Sequence, residues 1–193
     1  MKPEQLSAIG RKFLPLIELD ANEKILYEIR KHPFGLAGIY ALGLSVAGLL
    51  FGGSIGLVYL LDSNPSGSGT DLGSFGPLLL LLGGFLSIFA LIMTAIGAYL
   101  YQSNVVYVTS EKVAQVLYKS IFHRKISQLS IGDVQDVTTS QSGVFSHLFN
   151  YGTLIIETAG EQSNYSFHFT PKPYEASKAI VNAHEENLKL YGN

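Results

Sequence analysis

Ser54 stands in Gly52-Gly53-Ser54-Ile55-Gly56, a match to the G-x-S-x-G arrangement that activates a nucleophilic serine. That arrangement works on a sharp strand-to-helix turn, with a histidine and an acid close by. Here it lies in a run from Phe34 to Leu61 that holds no Asp, Glu, Lys, Arg or His, so nothing there can take the hydroxyl proton. The pattern is therefore read as small-residue packing. The five histidines, His32, His123, His147, His168 and His184, are scattered, with no i, i+4 pair and no H-E-x-x-H. There are no cysteines, which excludes disulfides and thiolate metal sites. The sequence thus gives no catalytic residue, metal site or cofactor site.

Two other groups could bind something. Lys119, His123, Arg124 and Lys125 form one local basic cluster, able to hold a phosphate or an anionic headgroup. Each cation near an anionic leaflet contributes on the order of 1 kcal/mol. The alternative is a solvated loop, since residues 102–193 carry seven Lys or Arg against eight Asp or Glu and so have no basic field. The same balance, with no basic stripe of interleaved aromatics, argues against nucleic-acid binding. The second group is Gly143-Val-Phe-Ser-His-Leu-Phe149. Its Val144, Phe145, Leu148 and Phe149 either plug the end of a barrel built by the strands on either side or reach out to a membrane or partner.

The elements that position these groups begin with two uncharged stretches. Phe34–Leu61 is one; the other runs from Leu72 to Ser110, with its apolar heart at Pro77–Tyr101. Crossing a bilayer's hydrocarbon core takes about 20 apolar residues, and each stretch supplies them. The first is too long for the roughly 7–15-residue core of a signal peptide. Both are read as retained spans joined by a Ser/Gly-rich loop over 62–76. Residues 1–33 carry Lys2, Arg11, Lys12, Lys24, Arg30 and Lys31, the loop carries no base, and Lys112, Lys119, Arg124 and Lys125 follow the second span. The positive-inside rule puts both termini in the cytoplasm and the loop outside, in a two-pass protein of the cell membrane. No charged group sits in the middle of either span, which argues against a transporter.

The spans carry small-residue stripes: Ala37, Ala41, Ser45, Gly48, Gly52 and Gly56 in the first, and Gly83, Ser87, Ala90, Thr94 and Ala98 in the second. Small residues at this spacing let helix backbones approach where lipid offers no hydrophobic drive. Gly48, Gly52, Gly56, Gly83 and Ser87 are the expected packing residues, either of each stripe against the other or of one stripe against a partner subunit or a second copy of the chain. Upstream, Leu6, Ile9, Phe13 and Leu16 recur near helical spacing, with Gln5, Arg11 and Lys12 opposite. Such a helix either lies on the inner leaflet or packs on the cytoplasmic domain.

After the spans the pattern is β, then α. The expected strands are Asn104–Thr109, Val113–Tyr118, Phe122–Ser130, Val134–Ser140, Thr153–Thr158 and Asn164–Phe169. The last alternates, with Tyr165, Phe167 and Phe169 on one face and Ser166 and His168 on the other. From Pro173 the spacing turns helical, with Ala176, Ile180 and Ala183 on one stripe. Pro173 and Glu175 suit the helix start, and Lys189 and Gly192 its end.

This order resembles the bacterial pleckstrin-homology-like family of small membrane proteins (YdbS type), over roughly residues 18–185. The resemblance rests on Leu19-x-x-Asn22-Glu23-Lys24-Ile25-Leu26 with Arg30, His32 and Pro33, then Tyr107-x-Thr109-x-x-Lys112-Val113. It continues through Ile131-x-x-Val134-x-x-Val137, Tyr151-Gly152-Thr153-Leu154, Thr158-Ala159-Gly160 and the Pro173-to-Ile180 ending. The family usually carries Arg where this chain has Lys112. The resemblance implies an α+β membrane protein, in which a two-helix transmembrane hairpin precedes a partly open antiparallel barrel of about seven strands capped by the C-terminal helix. Six strands are read after the spans, and Ile25–Arg30 is the candidate seventh.

The expected organisation is a cytoplasmic amphipathic segment (1–33), the hairpin (34–101) and a cytoplasmic domain (102–193). The expected function is a non-catalytic, membrane-anchored module that binds a protein or lipid partner at the inner leaflet. The alternative is an accessory subunit of a larger integral membrane complex, with the hairpin as its interface. The partners expected are membrane lipids and other membrane subunits or further copies of the chain.

Overall fold

A computed structural model describes residues 3–20, 22–63, 75–158 and 165–191. Most of the 62–76 loop, the turn expected at 159–161, and Gly192 lie outside the described residues. The chain divides into two compact units: residues 1–36 together with 100–193, and residues 37–99.

Among the described residues the first unit holds seven strands. β1 (Ile25–Arg30), β2 (Val105–Thr109), β3 (Lys112–Ser120) and β4 (His123–Ser130) form one antiparallel sheet in that order. β5 (Val134–Ser140), β6 (Tyr151–Thr158) and β7 (Tyr165–Pro171) form a second. The seventh strand is Ile25–Arg30, which pairs with β2 from Ile25↔Thr109 to Arg30↔Val105. The two sheets share a core but no strand pairing, so the expected partly open barrel is not a closed one.

Helix α5 (Pro173–Tyr191) closes that core. Its Ala176, Ile180 and Ala183 pack among Ile29, Val106, Val108, Leu154, Ile156 and Phe167. The outer face of the first sheet is also covered. Helix α1 (Ala8–Phe13) and its flanks lay Leu6, Phe13 and Ile17 on Val105, Tyr107, Ala114 and Val116. Each such side chain contributes about 1.5–3 kcal/mol on burial, an upper estimate against an extended unfolded chain. The amphipathic segment therefore packs on the domain. This explains why Val-Val-Tyr-Val-Thr in β2 reads as a continuous apolar run, since both of its faces are buried.

Polar groups pin the N-terminal segment. Ser7 caps α1 by accepting from the Gly10 N–H, and its own N–H and hydroxyl both donate to Glu28. The buried Tyr107 hydroxyl donates to the Gly10 carbonyl at 2.6 Å. Lys112 pairs with Glu23 at 3.1 Å and Asp20 at 3.7 Å, and donates to the Glu18 carbonyl.

The second unit consists of most of two helices, α2 (Pro33–Ser63) and α3 (Gly76–Gln102), each long and apolar enough to cross a membrane. Their seam runs through Gly43 against Thr94, Ala47 against Ser87, and Ser54 against Gly83. Ser87 donates to the Ala47 carbonyl at 3.0 Å. Gly83 and Ser87 lie on the α3 side of this seam. Gly48, Gly52 and Gly56 lie off it: apart from their own helix backbone, no atom among the described residues lies within 4 Å of where their side chains would begin. The two stripes are not packed on each other, because Gly43, Ala47 and Ser54 supply the α2 side of the contact.

Candidate functional site

Strand register brings several loops to one end of the first unit. β1 ends at Arg30, opposite Val105 where β2 begins. This is the end at which the chain leaves for α2 and returns from α3. Val105 also pairs with Val116, so β3 continues past it for the residues Leu117–Ser120. At about 3.3 Å per residue, the β3–β4 hairpin projects roughly 13 Å beyond the start of β2. Asn104 steadies its base, accepting from the Tyr118 N–H at 2.7 Å and donating to the Leu100 carbonyl at 3.0 Å. That second bond satisfies one of the carbonyls left over at the end of α3.

The hairpin carries all four residues of the basic cluster. Lys119, His123, Arg124 and Lys125 are exposed, with no salt bridge to them among the described residues. Between them, at the turn, stand Ile121 and Phe122, the latter 97% exposed. Sequence reading missed these two. The available signal was a pair of bulky apolar residues in the middle of a basic, turn-forming segment.

The β5–β6 connection lies at the same end and contains helix α4 (Val144–Leu148). Its apolar residues lie at that end of the unit rather than in the core beneath α5. Val144 is 80% exposed and Leu148 70%, and Phe145 and Phe149 are also open. With Phe122, Val144 and Leu148 are the three most exposed large apolar residues outside α2 and α3, among the described residues. Gly143 enters the helix at φ 92°, a left-handed conformation that favours glycine.

An aromatic stack joins α4 to the start of α2. The Phe34 ring lies 5.6 Å from Phe145, 5.0 Å from Phe149 and 5.1 Å from Tyr151. Tyr151 continues to Phe169 at 5.3 Å. Each such pair contributes about 0.5–1.5 kcal/mol beyond area burial. Phe169 is not on the core face that alternation assigned to it. Its φ is 57°, a left-handed conformation that is strained for a bulky residue, and Thr170 takes the buried position in its place. The flip turns the Phe169 carbonyl to the His32 N–H, which donates to it at 2.6 Å.

His32 is fixed further by its Nδ1, which accepts from the Phe34 N–H at 3.1 Å, and by Tyr101, whose hydroxyl donates to its carbonyl at 2.7 Å. Burial lowers the imidazole pKa from its ordinary 6.5, and it lowers that of the neighbouring Lys31 ammonium as well. At Lys112 burial also acts downward, but hydrogen bonding and charge from Glu23, with Asp20, outweigh it and raise the pKa.

The remaining sequence candidates stay apart. Ser54 donates to the Phe51 carbonyl, and no base is bonded to it among the described residues. His168 bonds Thr153, and the Nδ1 of His184 donates to the Ile131 carbonyl. The acidic cluster of Asp20, Glu23 and Glu111 is already neutralised in part by Lys112. No arrangement of nucleophile, base and acid occurs among the described residues.

A family profile described as bacterial PH domain matches residues 71–180. A solved structure described as a DUF1696 family protein with a pleckstrin-homology domain, from Shewanella loihica PV-4, is 13% identical. The match covers 42% of this chain and 70% of that one at a TM-score of 0.34, a likeness too slight to carry weight. No curated protein matches the chain.

Proposed function

Because the chain belongs to the bacterial PH-domain family, whose domains are typically non-catalytic binding modules, we propose that it is a membrane-anchored docking module. α2 and α3 cross the cell membrane, and the seven-stranded domain sits in the cytoplasm with its loop-bearing end toward the inner leaflet. The observation that carries this reading is the concentration of exposed Phe122, Val144 and Leu148 at the end where the chain leaves for α2 and returns from α3. Lys119, Arg124 and Lys125 flank the apolar tip, a combination suited to a surface with negative headgroups over an apolar interior. Phe145, Leu148 and Phe149 are the corresponding contacts on α4.

The cysteine-free chain allows a clean test of this orientation. Single cysteines at Ser66 and at Asn182 are treated in intact cells with a membrane-impermeant maleimide. Labelling at 66, with 182 labelled only after permeabilisation, is expected; the reverse pattern contradicts the reading.

A second reading makes the chain an accessory subunit of a larger membrane complex. The open space beside Gly48, Gly52 and Gly56 favours it, since α3 does not use that face. Gentle extraction and native sizing separate the two readings: co-migration with other subunits supports the second, and a chain that runs alone supports the first.

A further inference from the structure

Where the chain leaves for α2, a pocket of about 100 Å³ opens in the first unit. It is lined by Ile9 of α1, Arg30 and Lys31 at the end of β1, Pro33 and Leu36 of α2, and Tyr101 and Gln102 of α3. None of these is acidic. Neither Arg30 nor Lys31 forms a salt bridge among the described residues. Lys31 is only partly exposed, and its ammonium lies 5.1 Å from the centre of the Tyr101 ring and 5.8 Å from that of Phe167. The rings offer it a weak attraction but no counter-charge.

A partly buried cation without an anion is costly, so the site gains from any anion that fits it. Burial already depresses the Lys31 pKa, and a bound anion would reverse that. Arg30 supplies the planar fork that matches phosphate oxygens, Gln102 an amide, and Ile9 and Leu36 an apolar wall.

We propose that this pocket binds a phosphate group, that of an anionic phospholipid headgroup. The choice of lipid rests on the membrane reading above. The pocket is flanked by residue 33, just before one uncharged stretch, and by residue 102, just after the other, which is where headgroup phosphates lie. It is distinct from the β3–β4 hairpin, whose cations are exposed and do not line it.

The test uses the full chain in uncharged detergent micelles, with the thermal unfolding midpoint as readout. Dihexanoyl-phosphatidylglycerol, dihexanoyl-phosphatidylcholine and inorganic phosphate are titrated separately. A ligand that binds only the folded state raises the midpoint saturably. Phosphatidylglycerol is expected to do so, with affinity falling at least tenfold in Arg30→Gln and Lys31→Gln. Lys31→Arg and Lys178→Gln, the latter an exposed residue of α5, should respond as the native chain does. The unliganded midpoint of each variant checks that it folds. An equal response in the pocket variants, or an equal response to phosphatidylcholine, overturns the proposal. Saturation by inorganic phosphate with the same loss in both variants makes free phosphate the ligand and overturns the lipid assignment. Alkaline carbonate extraction of the native chain from membranes is scored separately. Release there sinks the membrane reading, whereas loss of the phosphatidylglycerol response sinks the pocket alone.

Discussion

The Tyr101 hydroxyl donates to the His32 carbonyl at 2.7 Å, joining the last turn of α3 to the residue just before α2, 69 positions earlier. The approach is so close that a methyl group at Gly35 would overlap the Tyr101 ring. Tyr101→Phe should therefore cost about 1 kcal/mol, the usual net value of one hydrogen bond. Gly35→Ala should cost more, about 1–3 kcal/mol, by forcing the ring aside. Thermal unfolding of the purified variants in detergent checks both, and equal midpoints for all three proteins would contradict the contact.

His32 gives the fold a pH dependence of known sign. Its pKa is below the ordinary 6.5 in the folded state, so between those two values the unfolded chain binds the extra proton. Stability contributed by the neutral imidazole is complete above pH 6.5 and falls as the pH drops toward the folded value. Midpoints measured from neutral to mildly acid pH should decline for the native chain and decline less for His32→Asn. An unchanged slope in the variant would remove His32 from this role.

Lys112 is placed to neutralise Glu23, whose side chain is completely buried. Lys112→Met should destabilise the domain by about 3 kcal/mol or more, because it strands a buried carboxylate. Lys112→Arg should be tolerated. Since the lysine pKa is raised, the stabilisation is present below the ordinary 10.5 and lost as pH rises through the folded value. Urea titration of the three proteins at neutral pH measures the first two effects.

The two glycine faces of the hairpin should respond differently. Gly83→Leu drives a side chain into Ser54 and should part α2 from α3, whereas Gly52→Leu meets open space. Engineered cysteines at Ala47 and Ser87, which meet across the seam, report the separation by cross-linking yield. That yield should fall for Gly83→Leu and hold for Gly52→Leu. A change in native size for Gly52→Leu alone would favour the accessory-subunit reading.

Local pattern carried far into this fold but not into its contacts. Val134–Ser140 was legible to the residue, and the Ala176, Ile180 and Ala183 stripe fell on the core as spaced. Ile25–Arg30 was harder, because its partner β2 lies two long helices further along the chain. The Phe169 flip was invisible, since alternation assumes an extended backbone and a left-handed φ breaks it. The face of α2 that meets α3 was not legible, because Gly43, Ala47 and Ser54 are as small and as regularly spaced as Gly48, Gly52 and Gly56. Composition cannot say which of two such faces meets α3. Arg30 and Lys31 served to orient the chain, and Arg30 to carry the family resemblance, but neither pointed to a pocket. Their pocket is assembled from Ile9, Lys31 and Tyr101, three segments that only the folded sheet brings together.

The central claim is that the loop-bearing end touches the bilayer. Phe122 is 97% exposed, so replacing it should shift stability by no more than about 0.5 kcal/mol. The chain has no tryptophan, so Phe122→Trp gives a single reporter at the hairpin tip. The variant is reconstituted into phosphatidylglycerol-containing vesicles with and without brominated acyl chains. The account predicts strong quenching of the tryptophan by the brominated lipid and protection from aqueous iodide. A tryptophan untouched by the brominated lipid yet quenched by iodide, in a chain that still resists carbonate extraction, would contradict it.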